Sequence, residues 1–372
     1  MKTDEAAADD AAEMLSALKE NISDVLRETC DPQAVHRHFD GEEALGDRLE
    51  RQAGELGWLG LAIGDAHGGL ALGSHGTSLL HRELGRHMAP GAFISSLAAA
   101  TWVEELMDSD LRPELLARIM AGAAHCAIPA TFDDQDGLAI DDSGISGRLL
   151  MLGRPDSSFL IVPVTTGDGR SDWALLAGDR CTATRTEMWD RTRDLFHVTV
   201  DRAQPLFRFG GDAAKARALL SRQVYLALAS DSIGLAAGVL SRTVQYLNTR
   251  IQFGKPLGTL QALKHRVAQH AANLSVYSAL LEQALEAAPR DADLWATIAK
   301  ADITTGCAAI AADCIQLHGG VGHTWEFDIH IFVKRAKLNE MLGGDNRRLR
   351  DQAANSFVKA ARENRTTLEF QP

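Results

Sequence analysis

Residues 213–250 read as a single long helix, rich in alanine and leucine and interrupted only by Gly234 and Gly238. A helix of that length is stable in a globular protein only when other helices cover its apolar side. The residues that follow supply them. Gly254-Lys255-Pro256-Leu257-Gly258 interrupts the pattern, and residues 261–288 resume it until Pro289. Residues 292–318 form a third stretch ended at Gly319-Gly320, residues 328–342 a fourth and residues 345–365 a fifth. Long helices joined by short turns predict an antiparallel bundle over residues 207–372.

The earlier parts of the chain are patterned differently. Residues 1–122 are mainly helical, with periodic apolar positions at 11–25 and 41–56, a glycine loop around His67-Gly68-Gly69-Leu70, and a helix over 77–88 stopped by Ala89-Pro90-Gly91. Residues 95–120 supply one or two helices more. From Cys126 to Pro205 the segments become short and β-branched, as at 159–164, 173–176 and 196–200, with turn residues between them. That punctuation predicts a small antiparallel β-domain over residues 123–206. The fold class expected is mainly α with a small central β-domain.

Composition narrows the functional classes. A chain of 372 residues with 45% hydrophobic and 24% charged residues can bury a large core. A formal charge of −12 argues against nucleic-acid binding, which needs clustered basic charge. No uninterrupted apolar run reaches about 18 residues, so no membrane span is expected. The acidic start, MKTDEAAADD, is unlike a secretory leader. Five cysteines without a C-x-x-C pair suit reduced thiols, which together with that start predicts a cytoplasmic location. Thirteen histidines show no metal-ligand spacing, and no metal site is expected.

Two motifs carry chemistry. In Arg250-Ile251-Gln252-Phe253-Gly254 a guanidinium at a helix end can grip a diphosphate through charge-assisted hydrogen bonds, with the glycine ending the helix. The same residues would also serve as a C-capping arginine and a buried phenylalanine. In Gln316-x-x-Gly319-Gly320-x-Gly322 the absence of side chains lets backbone lie against a flat ligand or a phosphate. A plain interhelical turn would use those glycines equally well, and no strand precedes them as a dinucleotide fingerprint requires.

Taken in order with their separations, these motifs resemble the C-terminal helical domain of the flavin-dependent acyl-CoA dehydrogenases. The glycine loop at 64–69 and Arg82-Glu83-Leu84-Gly85 resemble that family's N-terminal domain. The resemblance implies the acyl-CoA dehydrogenase fold, FAD as cofactor, an acyl-CoA thioester as substrate and electron-transfer flavoprotein as acceptor. It implies that Arg250, Gln252 and Phe253 contact the FAD diphosphate and adenosine, with Gln261 nearby. It also implies that Gln316, Gly319 and Gly320 hold the FAD of a neighbouring subunit.

The chain departs from the family at the reacting end. The family's Thr-Glu-Pro-x-x-Gly-Ser loop reads Cys126-Ala-Ile-Pro-Ala-Thr-Phe-Asp-Asp134, and its tryptophan strand reads Gly147-Arg-Leu-Leu-Met-Leu-Gly153. Both usually lie along the flavin ring. The glutamate that removes the substrate's α-proton is replaced by Gly343, and the alternative position on an earlier helix is Val224. Glu340, Asp345 and Asp231 are nearby carboxylates, each as readily explained by capping or ion pairing. Gly343 keeps its backbone N–H, the half of an oxyanion hole that in the family faces the thioester carbonyl. The pattern resembles the base-lacking subunit of bacterial heteromeric acyl-CoA dehydrogenases known from steroid side-chain breakdown, with a second subunit carrying the base. A self-sufficient enzyme using Glu340 or Asp345, and a silent acyl-CoA-binding or scaffold protein, are the rival readings.

Overall fold

A computed structural model describes residues 2–42, 44–132, 137–154, 156–325 and 327–362, with residues 2–12, 360 and 361 as backbone only. Asp133, Asp134, Pro155, Glu326 and the last three residues of the expected fifth bundle helix lie outside the described residues.

Six helices come first: α1 (Lys2–Thr29), α2 (Pro32–Asp40), α3 (Leu45–Glu55), α4 (Gly73–Arg86), α5 (Phe93–Leu106) and α6 (Arg112–Met120). The sequence reading passed over α2. Its start is locally encoded, since Asp31 accepts from the Gln33 and Ala34 amides and Pro32 occupies the first helical position.

Eight strands follow: β1 (Cys126–Pro129), β2 (Leu138–Asp141), β3 (Gly144–Leu152), β4 (Phe159–Thr166), β5 (Ser171–Ala177), β6 (Cys181–Arg185), β7 (Leu195–Ala203) and β8 (Phe207–Arg208). They form one sheet in the order β6-β7-β3-β1-β4-β5-β8, with β2 pairing to β3 and β4. The sheet is not wholly antiparallel as expected: β1 and β2 both run parallel to β4. One face encloses Leu149, Met151, Val162 and Val198, while the other, with Cys126, Ile128 and Trp173, packs on α5 and the next helix.

That helix is α7 (Ala213–Thr249), started by the Asp212 carboxylate and flanked by α4. By length and composition alone it would pass for a membrane-crossing helix. Yet 89% of its most apolar window is buried among the other helices, as a core helix requires. A short hairpin, β9 (Ile251–Gln252) and β10 (Lys255–Pro256), leads to α8 (Gln261–Leu285). Then come α9 (Ala292–His318), α10 (Ile329–Met341) and α11 (Asn346–Arg362). Where α4 and α7 cross, glycines bring the backbones together. A Cβ on Gly85 would sit 2.1 Å from the Asp231 carbonyl, and one on Gly234 1.8 Å from that of Arg82.

Candidate functional site

α10 ends at Met341, and the turn to α11 is made by Gly343 (φ +76) and Gly344 (φ +126), conformations that favour glycine. Gly343 pairs with the end of the β1 segment as an isolated parallel bridge to Thr131. Its amide donates to the Ala130 carbonyl at 2.8 Å. The N–H expected to remain for a thioester is therefore already engaged. The Tyr225 hydroxyl donates to the Gly343 carbonyl at 3.1 Å, and the Tyr225 ring stands edge-on to Phe132 at 6.1 Å. A Cβ on Gly343 would lie 2.8 Å from Tyr225 Cε1. Val224, the other expected base position, is buried in apolar core. The Tyr225 ring thus crowds Gly343, with Phe132 beside it. A cleft of about 170 Å³ opens there, lined by Phe132, Tyr225, Gly343 and Gly344 and edged by charged residues such as Arg217 and Arg348.

The turn is clamped from behind by Lys300, which sequence reading missed. This fully buried lysine on α9 donates to the carbonyls of Glu340 (2.9 Å) and Gly344 (2.6 Å) and to Asn346 Oδ1 (2.5 Å). It satisfies carbonyls that the end of α10 would otherwise leave open. Burial pulls its amine down to about 7, against the pull of Asp345 and Glu340. Nothing in the spacing of one lysine inside an alanine-rich helix announces such a role.

None of the three nearby carboxylates is presented as a base. Glu340 is held by Lys337 at 2.6 Å. Asp345 is exposed and caps α11 through the Arg347 amide at 2.8 Å. Asp231 is fully buried and paired with Arg193 and Arg335, and it accepts from Asn339 at 2.7 Å. Burial alone would raise its carboxyl, but the two guanidiniums overcome that and hold it well below the usual range. Arg335 also donates to the Ala89 carbonyl, so this cluster ties the N-terminal helices, the segment before β7 and the bundle together.

The other expected site residues lie elsewhere. Arg250, Gln252, Phe253, Gln261, Gln316, Gly319 and Gly320 are all exposed. α7 ends at Thr249, and Arg250 is extended, its amide donating to Tyr246. Gly254 does not end the helix, as expected from sequence; with Phe253 it forms the two-residue turn of the β9–β10 hairpin, both at positive φ. Such turns want glycine or asparagine at both positions, and a phenylalanine there is strained. Phe253 is nevertheless 86% exposed and Ile251 65%. The buried-phenylalanine reading therefore fails. Tyr246 and His318 stack at 4.5 Å, which brings the ends of α7 and α9, and with them both motifs, to one end of the bundle. A Cβ at Gly319 or Gly320 would meet nothing within 4 Å, so backbone there is open to a ligand.

The two ends of the site are far apart. From Val224 to Arg250 the chain runs along about 40 Å of α7. That separation far exceeds the few bonds between a flavin ring and its own diphosphate.

Family models supply the context for this geometry. Residues 12–123 match the N-terminal domain and residues 217–357 the C-terminal domain of acyl-CoA dehydrogenases. This chain belongs to the acyl-CoA dehydrogenase family. Its members are FAD-dependent oxidoreductases. Among curated relatives, acyl-CoA dehydrogenase IpdE2 of Mycobacterium tuberculosis is 29% identical over 320 residues, covering 86% of this chain and 89% of the relative. Among solved structures, a variant of the Tcur3481–Tcur3483 steroid ACAD superposes with a TM-score of 0.84 at 26% identity, covering 94% and 99% of the two chains. A chain of the ChsE4–ChsE5 complex from Mycobacterium tuberculosis superposes with a TM-score of 0.82 at 21% identity, covering 93% and 97%. In this acyl-CoA dehydrogenase, the exposed Arg250, Gln252, Gly319 and Gly320 fit the anionic half of FAD. Around Gly343 the open space is small, about 170 Å³, and Tyr225 stands against the glycine, which leaves little room for the ring and a thioester.

Proposed function

We propose that the chain is the base-lacking subunit of a heteromeric acyl-CoA dehydrogenase and completes a flavin site whose ring and base belong to a second subunit. The observation that carries this reading is the division along α7. Residues suited to a diphosphate sit at one end and a narrow cleft crowded by Tyr225 at the other, about 40 Å away. In the family reaction FAD accepts the β-hydride while a carboxylate takes the α-proton. Arg250 and Gln252 would hold the diphosphate, and the open backbone at Gly319 and Gly320, with Gln316, would lie against the cofactor from this chain's side. Phe253 and Ile251, which recover nothing inside the chain for their exposure, would be covered in the same assembly. The α,β-desaturation itself would occur over the partner, with electrons leaving to electron-transfer flavoprotein. The similarity to a steroid ACAD and to a chain of a two-component complex supports a two-subunit enzyme acting on a steroid-derived acyl-CoA; the reduced thiols and acidic start suit the cytoplasm. No observation favours Glu340 or Asp345 as a displaced base, since one is paired and the other caps a helix.

The test installs the missing carboxylate. Gly343→Glu, assembled with a partner whose own glutamate is replaced by glutamine, should give no acyl-CoA-dependent reduction of an electron acceptor. The left-handed backbone alone costs a side chain about 1–2 kcal/mol, and Tyr225 blocks its path. Clear turnover would mean that a competent flavin faces Gly343 and that only the base was lost.

A further inference from the structure

α4 and α7 pack closely from Ser78 and Ser230 to Arg86 and Gly238, and α1 and α8 flank a groove over the pair. The result is a cleft of about 630 Å³, separate from the Gly343 region and sharing no residue with the flavin motifs. Its volume falls in the range of small-molecule sites. Its lining is mainly apolar, with Leu15, Leu79, Ile233, Leu274 and Leu285, beside the buried Ser78 and Glu83 and the cations Lys19, Arg82 and Arg86. These cations are loosely engaged. Arg82 reaches Glu282 at 3.2 Å and Ser278 Oγ at 3.3 Å, and Arg86 lies 3.8 Å from the buried Glu83 carboxylate. Contacts at those distances exchange readily for a shorter, bidentate carboxylate pair. Three cations against two carboxylates leave the cleft with an excess of positive charge beside its apolar lining.

We propose that this cleft binds an amphipathic carboxylate, its apolar body between α1, α4, α7 and α8 and its anionic group at Arg82 and Arg86. The proposal does not rest on the flavin reading, and its test needs no flavin. Calorimetric titration of the purified chain, alone or in its complex, would use decanoate, cholate as a ring-system carboxylate, and decanol as an uncharged counterpart. Saturable one-to-one binding of at least one carboxylate is expected, with decanol at least tenfold weaker. The stronger of decanoate and cholate identifies a flexible chain or a fused-ring body. Arg82→Gln combined with Arg86→Gln should weaken binding ten- to a hundredfold. Ala237→Phe should abolish it by filling the interior, and Ser275→Trp does the same from the rim if the first variant folds poorly by circular dichroism. Absence of saturation with either carboxylate would overturn the proposal. So would decanol binding as tightly as decanoate, or unchanged affinity in the arginine double variant.

Discussion

Arg250 and Gly343 are the two residues on which the functional reading turns, and they differ in how they could be read from sequence. Arg250 stands exposed just past the end of α7. If its guanidinium grips a diphosphate, Arg250→Ala should weaken FAD retention in the assembled enzyme about ten- to a hundredfold, the loss of a charge-assisted bond. The melting temperature should move little, because the cap of α7 is made by the Arg250 amide, which alanine keeps. Equilibrium dialysis of the complex against FAD, beside a thermal melt, checks both. Unchanged flavin affinity with a lower melting temperature would return Arg250 to a capping role. At Gly343 the missing carboxylate was legible as a letter in the chain. What fills its place was not, because Tyr225 and Phe132 are far away in sequence and meet only once α7, β1 and the α10–α11 turn are assembled.

At the scale of elements, the β9–β10 hairpin is the most informative. It holds a phenylalanine in left-handed backbone and leaves it 86% exposed, two features unfavourable to the chain on its own. Phe253→Asn should raise the stability of the chain on its own by about 0.5–1 kcal/mol, since asparagine tolerates that backbone far better. The same variant should weaken assembly with the partner. Urea unfolding of the isolated chain and sedimentation of the mixture measure the two effects, and a variant that loses neither strain nor assembly would remove the hairpin from the account. The long bundle helices were legible because a period near 3.6 persists over many turns and glycine or proline marks their ends. The helix α9 begins and ends where its sequence implies. Short elements were not, since α2 and β6 are too brief for a periodic signal and are fixed by a cap and by pairing with β7.

Across the whole molecule, buried polar groups link the regions that the sequence could only delimit. His81 on α4 lies near the Asp231, Arg193 and Arg335 cluster, and burial is the main cause that lowers its imidazole to about 3, only partly opposed by Asp231. Burial likewise lowers His87 and His330 to about 4. A histidine depressed in the folded state contributes its full stability above the ordinary value near 6.5. That stability is lost as pH falls below it toward the folded value, because the unfolded chain then binds the proton alone. Stability should therefore decline from pH 6.5 to 4.5, and His81→Gln should flatten the decline by about 1.4 kcal/mol per pH unit. Urea midpoints across that window check the slope, and an unaltered slope would show that His81 is not buried in neutral form. Such linkages were invisible in the sequence, where a lone histidine on a helix carries no sign of its surroundings.

The proposed division of the flavin site between two chains is tested most directly by FAD content and acyl-CoA turnover of this protein purified alone and co-expressed with a second subunit. The chain alone is expected to carry little FAD and no activity, and the complex to carry one FAD for each pair of unlike chains. Stoichiometric FAD with acyl-CoA turnover by the isolated chain would contradict the account, because it would require a working site where Tyr225 and Phe132 now stand.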